Sequence, residues 1–148
     1  MRGRSEGKIK LRVSEAKYVV ARVRDPSSLN FYLTFPFFAL INDGRELTIV
    51  AEEGLFEGLE DLKGFLGSES LEAIEVEKDF RVITFETILP FDTVGFIARI
   101  SQALAENSVS VLVLSSYSTD HIMVKEGDLE KALDVLRKLG YKLEDQTC

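Results

Sequence analysis

From Phe80 to Leu143 the hydrophobic pattern runs strand, helix, strand, strand, helix, strand, and no other feature constrains the fold as tightly. Phe80–Leu89 alternates and stops at Pro90, where a strand loses its ladder donor. Asp92-Thr93 is an N-cap signal for a helix over Val94–Glu106, with Ile97, Ile100 and Leu104 on one face. Ser108–Leu114 is rich in β-branched residues and leucine and reads as a buried strand. Ser115–Thr119 is a polar turn and His121–Lys125 a strand. Asp128 then caps a helix carrying Leu129, Ala132, Leu133, Leu136 and Leu139, with Gly140 at C′ and a short strand at Tyr141–Leu143.

The first half repeats part of this pattern. Lys17–Val23 reads as a strand closed by the turn Asp25–Ser28, and Phe31–Ile41 as an aromatic run demoted to an edge by Pro36. Asn42-Asp43-Gly44 marks a hairpin whose partner strand is Glu46–Ala51. Leu55, Leu59, Leu62 and Leu66 follow at helical spacing, then a strand at Leu71–Val76 that turns near Lys78-Asp79 into the Phe80 strand. Shifted by 74 residues, Glu46, Val50 and Glu52 fall on Asp120, Val124 and Glu126, and Leu55, Leu59 and Leu62 on Leu129, Leu133 and Leu136. Upstream the overlay fails, so the first helix of the first half is expected to be shortened into Ser27–Leu33. The fold class is therefore α+β: two tandem ferredoxin-like βαββαβ units, each an antiparallel sheet with helices on one face. The expected division is a basic arm at 1–10, a degenerate unit at 11–79 and a better-preserved unit at 80–148.

Charge and cysteine usage narrow the function. Met1–Arg24 holds eight Lys/Arg against Glu6 and Glu15, a balance of +6, so the remainder carries −13 of the net −7. An acidic body argues against a nucleic-acid surface there, and the arm reads as a solvated tail. Cys148 is the only cysteine, which rules out a disulfide within the chain and suits a reducing cytoplasm. The apolar runs are all too short for a membrane span.

Two segments can carry chemistry. In Leu89–Ile100, Gly95 falls within the first helical turn, where it costs helix stability but leaves a bare backbone. The N–H groups of Thr93–Phe96 and the helix dipole would favour a carboxylate; alternatively, Gly95 only lets the helix pack closely on the sheet. In Leu114–Glu126, Asp120 can accept an ammonium or guanidinium group, with Ser116 and Tyr117 adding hydrogen bonds. Its bland reading is a turn-capping aspartate. Together they match the two ends of a free amino acid. His121 has no second His or Cys nearby to complete a metal site. No nucleophile elbow, P-loop or dinucleotide fingerprint occurs, so neither catalysis nor a cofactor is expected.

These same residues resemble ACT-domain proteins, in particular the small tandem type related to arginine-sensing CASTOR proteins and aspartokinase regulatory domains. The likeness rests on F-D-T-V-G-F-I-A-R-I-S-Q-A-L-A-E-N-S-V-S-V at Phe91–Val111, S-S-Y-S-T-D-H-I-M-V-K-E at Ser115–Glu126 and R-E-L-T-I-V at Arg45–Val50. In that family the glycine after the first strand and the turn aspartate lie at an amino-acid site between ACT units. Carried over residue by residue, the resemblance points to Val94, Gly95, Phe96, Ser116, Tyr117 and Asp120 as ligand-binding. Two positions depart from the pattern: Ser116, where Thr is common, and His121, where an aromatic or aliphatic residue is usual. The resemblance implies a non-enzymatic regulatory or sensor protein that binds a small molecule, an amino acid, and acts as a homodimer or on a partner. The alternative is an assembly module with a vestigial site, attached to an amino-acid biosynthetic enzyme.

Overall fold

The computed structural model describes residues 9–23, 37–56, 74–90 and 92–144. Most of the basic arm, the shortened helix expected at Ser27–Leu33 and all but the first two residues of the Leu55–Leu66 helix lie outside that set. The chain divides into two compact units, Met1–Glu15 with Phe80–Cys148, and Ala16–Asp79.

The unit containing the C-terminal half has five strands: β1 (Lys10–Val13), the later part of β5 (Ile74–Glu86), β6 (Leu112–Ser115), β7 (Asp120–Lys125) and β8 (Lys142–Leu143). Two helices, α1 (Phe96–Glu106) and α2 (Leu129–Lys138), complete a β5-α1-β6-β7-α2-β8 run, the expected βαββαβ order. Pairing gives the order β8-β1-β5-β7-β6. The four strands of that run thus form a ferredoxin-like sheet with one addition: β1 lies between β8 and β5. It is antiparallel to β5, with Leu11 opposite Phe85, and parallel to β8. The expected division counts this strand with residues 11–79; its ladder bonds place it in the other unit.

Alternation along the strands puts Leu11, Val13, Ile83, Phe85, Ile122 and Val124 on the face that the helices cover. α1 meets them with Phe96, Ile100 and Leu104, and α2 with Leu129, Ala132, Leu133 and Leu136. At the centre the Phe85 ring stands edge-on to Phe96 and to Tyr141, at 5.2 and 5.5 Å between centroids. Both helices close with the same C-terminal motif. Tyr141 N–H donates to Leu136 O and Gly140 N–H to Arg137 O, with Gly140 at φ 102°. In α1 the equivalent donors are Val109 to Leu104 and Ser108 to Ala105, and Ser108 takes φ 60°.

Several element boundaries differ from the sequence expectation. Within the described residues, the strands read at Leu71–Val76 and Phe80–Leu89 are one strand from Ile74 to Glu86, in which Asp79 adopts φ 65°. Aspartate tolerates the left-handed region better than most residues, so the strand passes through Asp79 without a turn. The strand predicted to start at Ser108 starts at Leu112, because Ser108 is spent terminating α1. Nor is β6 buried: it is the edge strand of this unit, with Leu112 and Val113 exposed.

In the Ala16–Asp79 unit, β3 (Ala39–Asn42) and β2 (Tyr18–Val23) flank β4 (Leu47–Glu52) in antiparallel pairing. The hairpin between β3 and β4 turns at Asn42–Glu46 with Gly44 at φ 92°. The backbone N–H groups of Glu46 and Arg45 donate to Asp43 and hold its carboxyl below the usual carboxylate range. β3 and β4 correspond to β6 and β7 at an offset of 73 residues, each pair joined by a four-residue loop and followed by a 3-10 turn. The overlay at 74 aligns the leucines beyond the strands and slips one position within them.

Candidate functional site

The geometry of the site begins with how α1 starts. Asp92-Thr93 does not cap it. After Pro90 the chain makes a turn in which Thr93 N–H donates to Pro90 O, 3.0 Å, and the helix begins three residues later. Its N-cap is Gly95 at φ 83°, ψ 5°, with no side-chain cap. The first intrahelical bond runs from Arg99 N–H to Gly95 O. The N–H groups of Phe96, Ile97 and Ala98 therefore have no acceptor within the helix. The first turn carries no acidic residue. A Cβ on Gly95 would lie 3.2 Å from the Arg99 guanidinium, which curls back over the helix start. Unspent N–H groups, the helix dipole and a guanidinium make this end favourable for an anion.

The opposing wall is the β6–β7 turn. Ser116 N–H donates to Thr119 O, 2.9 Å, and Leu89 N–H donates to Ser118 O, 2.7 Å. The Thr119 hydroxyl donates to Thr87 O, 3.2 Å, so turn and strand end are tied together by two bonds. At the foot of the turn Ser115 Oγ donates to Asp120 Oδ1 at 2.6 Å, which orients that carboxylate. Between the walls lies a cavity of about 350 Å³, open on one side. That is at the lower end of the size range of small-molecule sites.

Gly95, Phe96, Ser116, Tyr117 and Asp120 all line this cavity. Val94 does not: its side chain is exposed and it falls outside the lining. A residue before an N-cap glycine contributes backbone rather than side chain to the helix start, and spacing alone does not separate the two. Arg99 and Ser115 were not singled out from the sequence. Arg99 lies four residues after Gly95, one helical turn, and that spacing was the available signal.

Beneath the turn sits His121, buried, with Thr84 Oγ1 2.9 Å from Nδ1 and Ser116 Oγ 3.2 Å from Nε2. Burial, followed by the charge of Arg12, lowers its pKa below 6.5, while Asp120 acts in the opposite sense. Among the described residues no group of His, Cys, Asp or Glu could hold a metal ion, and no helix is long and apolar enough to cross a membrane.

Comparison with known proteins agrees with this architecture. Residues 75–138 match a family model described as an ACT domain. No curated protein matches the chain significantly. Among solved structures, a protein from Agobacterium tumefaciens is similar at 22% identity and TM-score 0.69, over 95% of this chain and 96% of that one. A protein of unknown function from Vibrio cholerae, described as a possible transport protein, gives 24% identity and TM-score 0.64 over 91% and 92%. The ligand-free regulatory subunit of aspartate kinase from Thermus thermophilus gives 12% and 0.58 over 87% and 95%. The chain thus has an ACT-like, ferredoxin-like fold, α+β in class, and the matched stretch holds the helix start and the turn that face each other across the cavity.

Proposed function

We propose that the chain is a non-enzymatic regulatory protein that binds a free amino acid in this cavity. One observation supports the reading above others: an uncapped helix start at Gly95 and an oriented carboxylate at Asp120 line the same 350 Å³ space. The first would take the α-carboxylate, the second the ammonium or a cationic side chain. Ser116, the lining hydroxyl beside His121, has Thr119 O within reach of its proton, and the Ser115 hydroxyl donates to Asp120, which favours holding over transforming. The matching hairpins suggest that residues 16–79 are a degenerate copy of the same unit, as in tandem ACT proteins of the CASTOR type. Signalling would pass through contacts with a second copy or a partner enzyme in the cytoplasm. Ile88 and Val94 beside the lining, and Tyr117 within it, are all strongly exposed and offer apolar surface for that contact.

A thermal-shift panel of the twenty standard amino acids tests the proposal. Mass action gives about 2.7 kcal/mol of stabilisation at a hundredfold excess over Kd. Asp120→Asn should abolish the shift for whichever amino acid produces one. Should none of the twenty move the midpoint at millimolar concentration, the vestigial-site alternative takes over.

A further inference from the structure

His121 is the one buried imidazole of the chain, and its position in the sheet connects it to the cavity. A row of side chains crosses the helix-free face: Arg12 on β1 is in register with Thr84 on β5, Thr84 with His121 on β7, and His121 with Leu114 on β6. On the strands either side the ring faces one hydroxyl and one aliphatic residue. Charges acting on it include Arg12, which is paired with Glu86 at 2.9 Å, and Asp120, its neighbour in the chain.

Each ring nitrogen faces one hydroxyl. Ser116 Oγ has a single proton, which points at Thr119 O at 3.0 Å. With that proton directed at Thr119 O, Ser116 Oγ accepts from Nε2–H, and Nδ1 accepts from the Thr84 hydroxyl. The result is one directed chain, Thr84 O–H to Nδ1, Nε2–H to Ser116 Oγ, Ser116 O–H to Thr119 O. Of these bonds only the one from Thr84 requires a neutral imidazole, because a charged ring still donates Nε2–H to Ser116 Oγ. Adding a proton at Nδ1 reverses the Thr84 bond. It also places a positive charge one hydrogen bond away from the cavity lining, beside Asp120.

We infer that His121 is a positioning residue for this site and makes occupancy depend on pH, an inference that rests on the amino-acid-binding reading for its second half only. Neutral His121 holds the Ser116–Thr119 turn in its observed form. Protonated His121 loses the Thr84 hydroxyl as a donor, and its charge beside the turn weakens the hold of Asp120 on a cationic group, so binding falls as pH falls through the imidazole titration. By reciprocity, a cation seated at Asp120 makes His121 harder to protonate. Burial acts in the same direction as this design, keeping the ring neutral near pH 7.

Because His121 is the sole histidine, its ring resonances are identifiable without assignment. Nuclear magnetic resonance on the full chain, titrated from about pH 7.5 to about pH 5 around the ordinary histidine value, follows the ring and the backbone amides together. The expected result is that the amides of Ser116–Asp120 shift with the ring's midpoint. In His121→Gln they should not shift, and in Ser116→Ala the ring should titrate without carrying the turn along. Amides of the turn that stay still while the wild-type ring titrates overturn the inference, whether or not any amino acid binds. The twenty-amino-acid panel repeated near both pH limits adds the second readout. Any amino acid bound near pH 7.5 should lose roughly fivefold in affinity near pH 5, at the low end for coupled sites, and His121→Gln should remove most of that loss. Equal affinity at both limits overturns the coupling, while no binding at either limit counts against the amino-acid reading and leaves the turn result to stand by itself.

Discussion

Two residues in this chain occupy the same strained backbone region for opposite reasons. Gly95 at φ 83° opens α1, and Ser108 at φ 60° closes it. At Gly95 the left-handed conformation turns the N–H groups of α1 toward the cavity, and the absent Cβ leaves room for Arg99. Gly95→Ala should cost about 1–2 kcal/mol, the penalty for an L-residue in that region. The 3.2 Å contact adds little, since the far end of Arg99 can move. At Ser108 the same strain serves only to stop a helix, and glycine performs that task without a Cβ penalty. Ser108→Gly should therefore stabilise by about 0.5–1 kcal/mol, less than the full penalty because glycine loses more entropy on folding. Urea midpoints at unchanged slope check both; a Gly95→Ala protein as stable as the parent would mean that the backbone there relaxes. The sequence marked Gly95 as unusual because glycine is costly inside a helix. It could not mark Ser108, since nothing in a serine announces positive φ.

The elements were legible in proportion to how much of their pattern is local. The helices repeat apolar residues every 3.6 positions, and α2 ends where Gly140 said it would. Strand burial is not local. Ser108–Leu114 has the composition of a buried strand, yet β6 pairs on one side only and Leu112 and Val113 are about two-fifths exposed. β5 carries the reverse lesson, because Lys78-Asp79 reads as a turn and lies within one strand. Substitution separates these two environments. Phe85 is fully buried against Phe96 and Tyr141, and Phe85→Ala should cost about 3–5 kcal/mol. Leu112→Ala on the edge should cost about 1 kcal/mol or less, where a buried strand would predict about 2–5. Chemical denaturation of the two variants side by side measures the contrast. A large loss at Leu112 would show that this edge is covered in solution.

At the scale of the molecule, pairing in space overrides continuity in sequence. A βαββαβ unit beginning at Phe80 contains every strand and helix its name requires, and taken alone it predicts a stable fragment 80–148. The structure instead places β1 in the middle of that sheet, between β8 and β5. Ile9, Leu11 and Val13 join the core cluster, and Lys142 and Glu144 bond to the backbone of Ile9 and Leu11. Three buried aliphatic side chains contribute about 1.5–3 kcal/mol each. Their sum is comparable to the whole stability of a small domain, about 5–15 kcal/mol. Without β1, β8 loses the strand it pairs with. Geometry also supplies the remedy. Val13 lies opposite Ile83, and Ser14 exchanges bonds with Val82 through its N–H and its hydroxyl, so the two chain segments run together at that point as a hairpin would. Replacing Lys17–Asp79 by a short Asn-Gly turn, which keeps Ala16 opposite Phe80 in the β1–β5 register, should join them directly. The expected outcome is a cooperative urea transition for the joined chain and a weak or absent one for 80–148 alone. Equal stability for both would mean that β1 only decorates the sheet, and that the unit is complete from Phe80 onward.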